Sequence, residues 1–263
     1  MRPKKRFGQH FLTDTAAARR IAALVRGADP QAPAILEIGP GTGTLTHALV
    51  QAGCDVTAID VDEAMIRILE RRGDLSGARI VHADALTFDY EDFARGRRWS
   101  MTGNLPYNIA TPLVMRLVEM RNGPDAIVVM VQKEVAQRFT AVPGNKSYGS
   151  LSVVTQYAMR IRREFTLGPG AFYPKPKIDS AVIRLERRER PAADVSDEAW
   201  FLQVVRAAFA YRRKTLANSL SIAMGLKRAD VTKALNELRL DPEIRGEQLD
   251  LSAFAHLADR LIT

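Results

Sequence analysis

The 263-residue chain is predicted to be an α/β protein: a mostly parallel, doubly wound sheet carrying helices on both faces, followed by a small all-helical region. Three observations carry that prediction. From residue 34 to about 140, short apolar runs alternate with stretches whose apolar residues recur at helical spacing. Two late strand-like runs then come without a long helix between them. Beyond residue 187, a charged and Pro/Ala-rich stretch leads into patterns that are helical throughout.

In chain order, "DTAAARRIAALVRGA" reads as a helix with Asp14 as its N-cap. "AILEI" is a buried strand, and "TLTHALVQAG" is a helix stopped by Gly53. "DVTAID" and "RIVHAD" are strands on either side of the helix "DEAMIRILERRG", and "RWSMTGN" is a weaker fourth strand. A helix is expected to open at Thr111 and Pro112, because proline is tolerated in a first turn. "AIVVMVQ" is a strong buried strand followed by the helix "KEVAQRFT", and "GSLSVVTQYAM" is another helix. "IRREFTL" and "DSAVIRLE" should add to one sheet edge in antiparallel fashion. The domains are therefore expected to span residues 1–187 and 188–263, with Ser196 capping the first helix of the second.

Composition bounds the function. Hydrophobic residues make up 46%, enough for a sizeable core, and the net charge is +8 with a pI near 9.8. That balance points to a polyanionic partner, most often nucleic acid. Cys54 is the single cysteine, so no disulfide can form within the chain. His10, His47, His82 and His256 are scattered without ligand spacing, so no metal site is expected. No apolar run approaches the roughly 20 residues that span a membrane. "MRPKKRFGQHFL" lacks the apolar segment of a signal peptide, and the expected location is the reducing cytoplasm.

"EIGPGTGTLT" follows the first strand of the alternating region and opens a helix. Gly39, Gly41 and Gly43 permit tight turns and close approach of the backbone to a ligand. Their spacing is GxGxG, not the GxGxxG of dinucleotide sites. Asp60 ends the next strand about 20 residues later, where a carboxylate accepts hydrogen bonds from a ribose diol. Glu37 would repel a pyrophosphate but suits a ligand carrying an ammonium group. S-adenosylmethionine has a ribose, an ammonium and no phosphate. Asp84, ending the third strand, could accept from its exocyclic adenine amine. Glu37, Asp60, Asp84 and Asn104 thus fall at the carboxyl ends of successive strands, the rim where open α/β sheets bind ligands.

"NLPY" places an amide, a rigid backbone and a flat phenol at that rim. The side-chain carbonyl of Asn104 and the backbone carbonyl of Leu105 can each accept an N–H from an exocyclic amine. Two such acceptors favour a tetrahedral nitrogen whose lone pair is free to attack. Pro106 fixes its own φ and restricts the residue before it, which sets where the Leu105 carbonyl points. Tyr107 offers a face on which an extruded base can stack. The work is positioning and polarisation, with no general base at the amine.

"RFGQHFL", "EIGPGTGTLT", "NLPYNIATPL", "QKEVAQRF", "YGSLSV" and "FYPKPKIDSAVIRL" together resemble the ribosomal RNA adenine N6,N6-dimethyltransferase family, specifically its small-subunit branch. The resemblance spans about residues 4–220. It implies a Class I methyltransferase fold with a Rossmann-like, seven-stranded sheet, S-adenosylmethionine as donor, and dimethylation of two adjacent adenines near the end of small-subunit rRNA. By position it implies His10 and Leu12 on the methionine side of the cofactor and Gly39 against it, beside the Gly41 that the loop itself offers to the cofactor. Asp60 falls to the ribose, Asp84 to the adenine, and Asn104 to both cofactor and target. Phe172 is implied to stack on the target base opposite Tyr107. Relatives often carry Asn in place of His10 and the longer Glu in place of Asp60.

Basic clusters supply candidate RNA contacts: Arg2, Lys4, Lys5 and Arg6; Arg160, Arg162 and Arg163; Arg212, Arg213 and Lys214. The expected partner is small-subunit rRNA, within an assembling particle, met by a monomer without membrane attachment. Three alternatives stand beside this reading: methylation of a large-subunit rRNA adenine, methylation of DNA adenine, and a non-catalytic RNA-binding factor on the same scaffold. Intact Asn104, Pro106 and Tyr107 weigh against the last.

Overall fold

The first described elements are a two-residue strand, β1 (Phe11–Leu12), and helix α1 (Thr15–Ala28). Asp14 caps α1 as expected: its Oδ1 accepts the N–H groups of Ala16 and Ala17, both at 2.9 Å. The protein is seen here as a computed structural model that describes residues 9–28 and 34–262, the side chains of Tyr107 and Asn108 excepted. The alternating region then runs β2 (Ala34–Ile38), α2 (Thr44–Gln51), β3 (Val56–Asp60), α3 (Glu63–Glu70), β4 (Ala78–His82), α4 (Tyr90–Ala94), β5 (Trp99–Asn104), α5 (Tyr107–Glu119), β6 (Ala126–Gln132) and α6 (Lys133–Phe139). After it come α7 (Ser150–Ala158), β7 (Met159–Leu167), β8 (Phe172–Tyr173), β9 (Ser180–Arg187), α8 (Glu198–Ala210), α9 (Leu216–Met224), α10 (Arg228–Glu237) and α11 (Leu251–Arg260).

The seven-stranded sheet has the order β4-β3-β2-β5-β6-β9-β7. β2 pairs in parallel with β3 and β5, and β3–β4 and β5–β6 are also parallel. β9 pairs antiparallel with β6, from Ala126↔Glu186 to Gln132↔Ser180. Every residue of β2 is buried, as a central strand covered on both faces requires. The chain order reverses between β2 and β5, so a crevice opens at the carboxyl ends of these two strands. β5 reads weakly in sequence because Ser100 and Thr102 are polar, yet both are buried. Thr102 is accommodated because its Oγ1 donates to Val128 O at 2.8 Å.

The chain separates into two compact units, Met1–Ala136 with Arg160–Arg187, and Gln137–Met159 with Arg188–Thr263. One boundary between the units falls after residue 187. Residues 137–159, expected in the first domain, belong to the second. The reason is packing: Leu151, Val153, Val154 and Tyr157 of α7 are buried, and the Tyr157 ring lies 4.7 Å from that of Phe201 on α8. Arg188 also donates its Nε to Gln156 O at 3.2 Å and to Met159 O at 3.3 Å. In the second unit, Phe209 joins Tyr148 and Phe254 at centroid distances of 5.9 and 5.7 Å. The cap of α8 is Asp197, whose side chain accepts from Trp200 N at 2.9 Å, and not Ser196. Ser196 instead donates its backbone N–H to Asp259 Oδ1.

Helix α5 begins at Tyr107, four residues ahead of the expected start at Thr111. Pro106 holds the N-cap position with φ −55°, already close to helical φ. Pro112 consequently sits inside the helix, where it has no N–H to return to the preceding turn.

Candidate active site

At the crevice between β2 and β5 lies a cleft lined by residues from five segments of the first unit. These are the strap 9–12, the β2 end and glycine loop, the β3 end, the β4 end, and the Asn104–Pro106 turn. His10, Leu12, Glu37, Gly39, Gly41, Asp60, Asp84, Asn104, Leu105 and Pro106 all line it, so the separated sequence motifs meet in one place.

The loop geometry depends on glycine at two points. Gly41 has φ +56°, and a Cβ there would come 2.7 Å from Phe11 Cδ1. Gly103, just ahead of Asn104, lets β5 approach β2: an added Cβ would lie 2.3 Å from Ile38 O. Gly103 and Phe11 were not singled out by sequence reading, since neither carries polar chemistry.

Carboxylates set the electrostatics. Glu37 is 1% exposed, and its Oε2 has no hydrogen-bond partner among the described residues. Burial pushes its pKa from 4.5 up to about 8, and the nearby Asp60 carboxylate adds to the rise. The Thr46 hydroxyl lies close enough to oppose the shift, without reaching hydrogen-bond geometry. Asp60 is also held above the usual carboxylate range, mainly by desolvation, with backbone N–H groups of Asp62, Gly41 and Val61 working against it. Its Oδ1 accepts from Asp62 N at 2.8 Å. Asp84 Oδ1 accepts from Leu86 N at 2.9 Å. The described lining holds three carboxylates and neither lysine nor arginine. Such a cleft disfavours a pyrophosphate and favours a ligand with a cation and hydroxyl donors. An orphaned acid oxygen at the base of the cleft fits the ammonium and ribose of S-adenosylmethionine. Val61 and Leu86, 45% and 43% exposed, add apolar surface beside Asp84 suited to a flat ring.

Asn104 is oriented by the strap. Its Nδ2 donates to His10 O at 2.6 Å, which leaves Oδ1 as the acceptor end of the amide. The His10 ring is itself fixed: Nδ1 lies 2.7 Å from Pro174 O, so Nδ1 carries the proton and donates. β1 pairs with β8 through Phe11↔Tyr173 and Leu12↔Phe172, and Thr13 N and Oγ1 both donate to Ala171 O. Leu105 N donates to Met130 O at 3.2 Å, tying the turn to β6.

Other expected residues fare differently. Phe172, the other residue expected to stack on the target base, is 3% exposed and packs in a core cluster with Leu12, Ala171 and Val182. Side chains alternate along β8, so Phe172 turns inward and Tyr173, 61% exposed, turns outward. Tyr107 opens α5, but its side chain lies outside the described residues, as do Arg2, Lys4, Lys5 and Arg6. Arg160, Arg162 and Arg163 are exposed on the edge strand β7. Arg212 is engaged within the second unit, its Nη2 donating to Lys146 O, Tyr148 O and Glu247 Oε2 at 3.0 to 3.2 Å. Arg213 and Lys214 are exposed. No group of three or more His, Cys, Asp or Glu able to hold a metal occurs among the described residues. No described helix is long and apolar enough to cross a membrane.

A Rossmann-like sheet with this glycine loop, acids at successive strand ends and an Asn-Leu-Pro turn defines an S-adenosylmethionine-dependent methyltransferase. Comparison with known proteins narrows the class. Residues 1–261 match the model of the family described as ribosomal RNA adenine dimethylase, and the chain belongs to that family. It is 40% identical over 262 residues to ribosomal RNA small subunit methyltransferase A of Pseudomonas aeruginosa, covering 99% of this chain and 95% of that one. The protein of the same name from Geobacillus thermodenitrificans is 42% identical over 270 residues, with 98% and 91% covered. Among solved structures, the 23S rRNA methyltransferase ErmE superposes with a TM-score of 0.72 at 25% identity, covering 95% of this chain and 99% of that one. A dimethyladenosine transferase from Plasmodium falciparum shares the fold, with a TM-score of 0.72 at 23% identity and coverage of 94% and 96%.

Proposed function

We propose that the chain transfers methyl groups from S-adenosylmethionine to the exocyclic N6 of two adjacent adenines near the 3′ end of small-subunit rRNA, giving N6,N6-dimethyladenosine. The observation that carries the chemistry is the orientation of Asn104. With Nδ2 committed to His10 O, Oδ1 is the end left to accept from an adenine amine. The Leu105 carbonyl precedes a proline of fixed φ and supplies the second acceptor. When bound, S-adenosylmethionine supplies an electrophilic methyl group and leaves as a neutral thioether. Glu37 takes the ammonium of the cofactor, Asp60 its ribose and Asp84 its adenine amine. The Asn104 and Leu105 oxygens draw the amine out of conjugation with its ring, and solvent takes the proton released after transfer.

Stacking on the target base falls to Tyr107 and, from the β8 side, to the exposed Tyr173. Arg160, Arg162, Arg163, Arg213 and Lys214, with the basic residues 2–6, meet rRNA phosphates. The substrate is the rRNA of an assembling small subunit, met in the cytoplasm by a monomer. Identity near 40% over almost the whole chain to small-subunit methyltransferases, against 25% to a large-subunit one, supports the choice of rRNA. Labelled S-adenosylmethionine offered with undermethylated small subunits, large-subunit rRNA and DNA tests it. Labelled dimethyladenosine in small-subunit rRNA alone is expected. Label in large-subunit rRNA or DNA would overturn the substrate assignment, and no label anywhere would overturn the enzymatic one.

A further inference from the structure

Two loops of the cleft have backbone carbonyls gripped from outside by arginines that do not line it. Arg72, just after α3, donates Nη1 to Thr42 O in the glycine loop at 2.5 Å. Two more of its donors are held by Asp74: Nε reaches Oδ1 at 2.9 Å, and Nη2 bonds Oδ2. His47 Nδ1 stands 3.1 Å from the same carboxylate, without hydrogen-bond geometry. On its other side, the Thr42–Gly43 peptide donates Gly43 N–H to Pro40 O at 2.9 Å, so that peptide plane is fixed from both ends. On the opposite wall, Arg116 of α5 donates Nη1 to Leu86 O at 2.5 Å and Nη2 to Phe88 O at 3.4 Å. Its guanidinium also lies 5.1 Å from the centroid of Tyr90, whose hydroxyl donates to Ala85 O at 2.7 Å.

We propose that Arg72 and Arg116 are positioning residues for the cofactor cleft: Arg72 sets the glycine loop, and Arg116 sets the loop that carries Asp84 and Leu86. Both act through backbone carbonyls and touch no ligand. The fork of a guanidinium suits this task, since one planar group can hold a carbonyl and a carboxylate, or two carbonyls, at once. Because α5 begins at the Asn104 turn, Arg116 also links the helix behind the target site to the adenine wall. Asp74 serves only through Arg72, so its loss should add nothing once Arg72 is gone.

The proposal rests on the cleft being the S-adenosylmethionine site, and the test separates the two. Arg72→Gln and Arg116→Gln are compared with the unaltered protein for binding of S-adenosylhomocysteine by calorimetry. Amide hydrogen exchange of the ligand-free proteins is measured alongside. Each variant should weaken binding about tenfold, the scale of a lost charge-assisted hydrogen bond. The KM for S-adenosylmethionine should rise by a similar factor, while kcat at saturation stays within about twofold. Without ligand, Arg72→Gln should speed exchange at Gly43 and leave Leu86 alone, and Arg116→Gln should do the reverse. Arg72→Lys, which keeps the charge but not the fork, should recover part of the binding. Asp74→Ala combined with Arg72→Gln should bind no more weakly than Arg72→Gln alone. Unchanged exchange at both loops, or a fall in kcat with KM unchanged, would overturn the proposal. Should the unaltered protein fail to bind S-adenosylhomocysteine, the cofactor assignment falls, and the loop-specific exchange pattern decides the brackets by itself.

Discussion

Replacing Glu37 by glutamine should shift the stability of the cofactor-free protein, relative to the unaltered one, increasingly in the variant's favour as pH rises. The folded-state pKa of Glu37 is about 8 against an ordinary 4.5, because burial disfavours the charged form. An acid whose pKa is raised by folding carries no penalty below its unfolded pKa. Above it, the unfolded chain releases a proton that the folded one retains, so stability falls until pH passes the folded value. At about 1.4 kcal/mol per pKa interval, the penalty works out at about 1 kcal/mol at pH 5, about 3 at pH 7, and about 5 above pH 9. Glutamine has nearly the same shape and no titration, so any fixed cost of its amide is the same at every pH. Urea unfolding of both proteins from pH 5 to 9, without cofactor, gives the difference directly. The advantage of Glu37→Gln should grow by about 2 kcal/mol between pH 5 and 7 and level off beyond about pH 8. A difference that stays flat with pH would refute the picture of a buried, unpartnered acid at the base of the cleft.

The same residue predicts proton release on ligand binding. At pH 7 Glu37 is mostly protonated, so pairing with the ammonium of S-adenosylmethionine should expel close to one proton, read by calorimetry in buffers of different ionisation enthalpy; Glu37→Gln should abolish that release. Phe172→Ala should cost about 3 to 5 kcal/mol of stability, as a large-to-small core change does. Tyr173→Ala should leave stability within about 0.5 kcal/mol and raise the KM for RNA; the opposite pattern would return the stacking role to Phe172. Arg213→Ala with Lys214→Ala should weaken RNA binding and lower its salt slope by about one for each phosphate no longer neutralised. An unchanged slope would remove both from the interface.

Much of the fold was legible because periodicity carries it. β2 and β6 are near-continuous apolar runs, and buried parallel strands require such runs. The cleft was legible because its acids fall at strand ends, where chain order alone places them on one rim. What escaped the sequence depends on packing between distant parts of the chain. Nothing local tells α7 to join the second unit, since its buried face is met by Phe201, far along the chain. The start of α5 escapes the sequence because Pro112 resembles a first-turn proline, whereas the helix already opens after Pro106 at its N-cap. Phe172 and Tyr173 are adjacent aromatics, and only the pairing of β8 with β1 decides which ring faces the core. The arginine brackets bind backbone carbonyls, which no sequence motif marks.

The central claim is that Asn104 polarises an rRNA adenine for methylation, and nucleoside analysis of the product tests it most directly. Undermethylated small-subunit rRNA, treated with S-adenosylmethionine and either the unaltered protein or Asn104→Ala, is digested and analysed by mass spectrometry. RNA affinity is measured in parallel. The unaltered protein should produce N6,N6-dimethyladenosine at two adjacent adenines, and Asn104→Ala should produce essentially none while binding RNA nearly as well. Near-normal dimethyladenosine from Asn104→Ala would contradict the account.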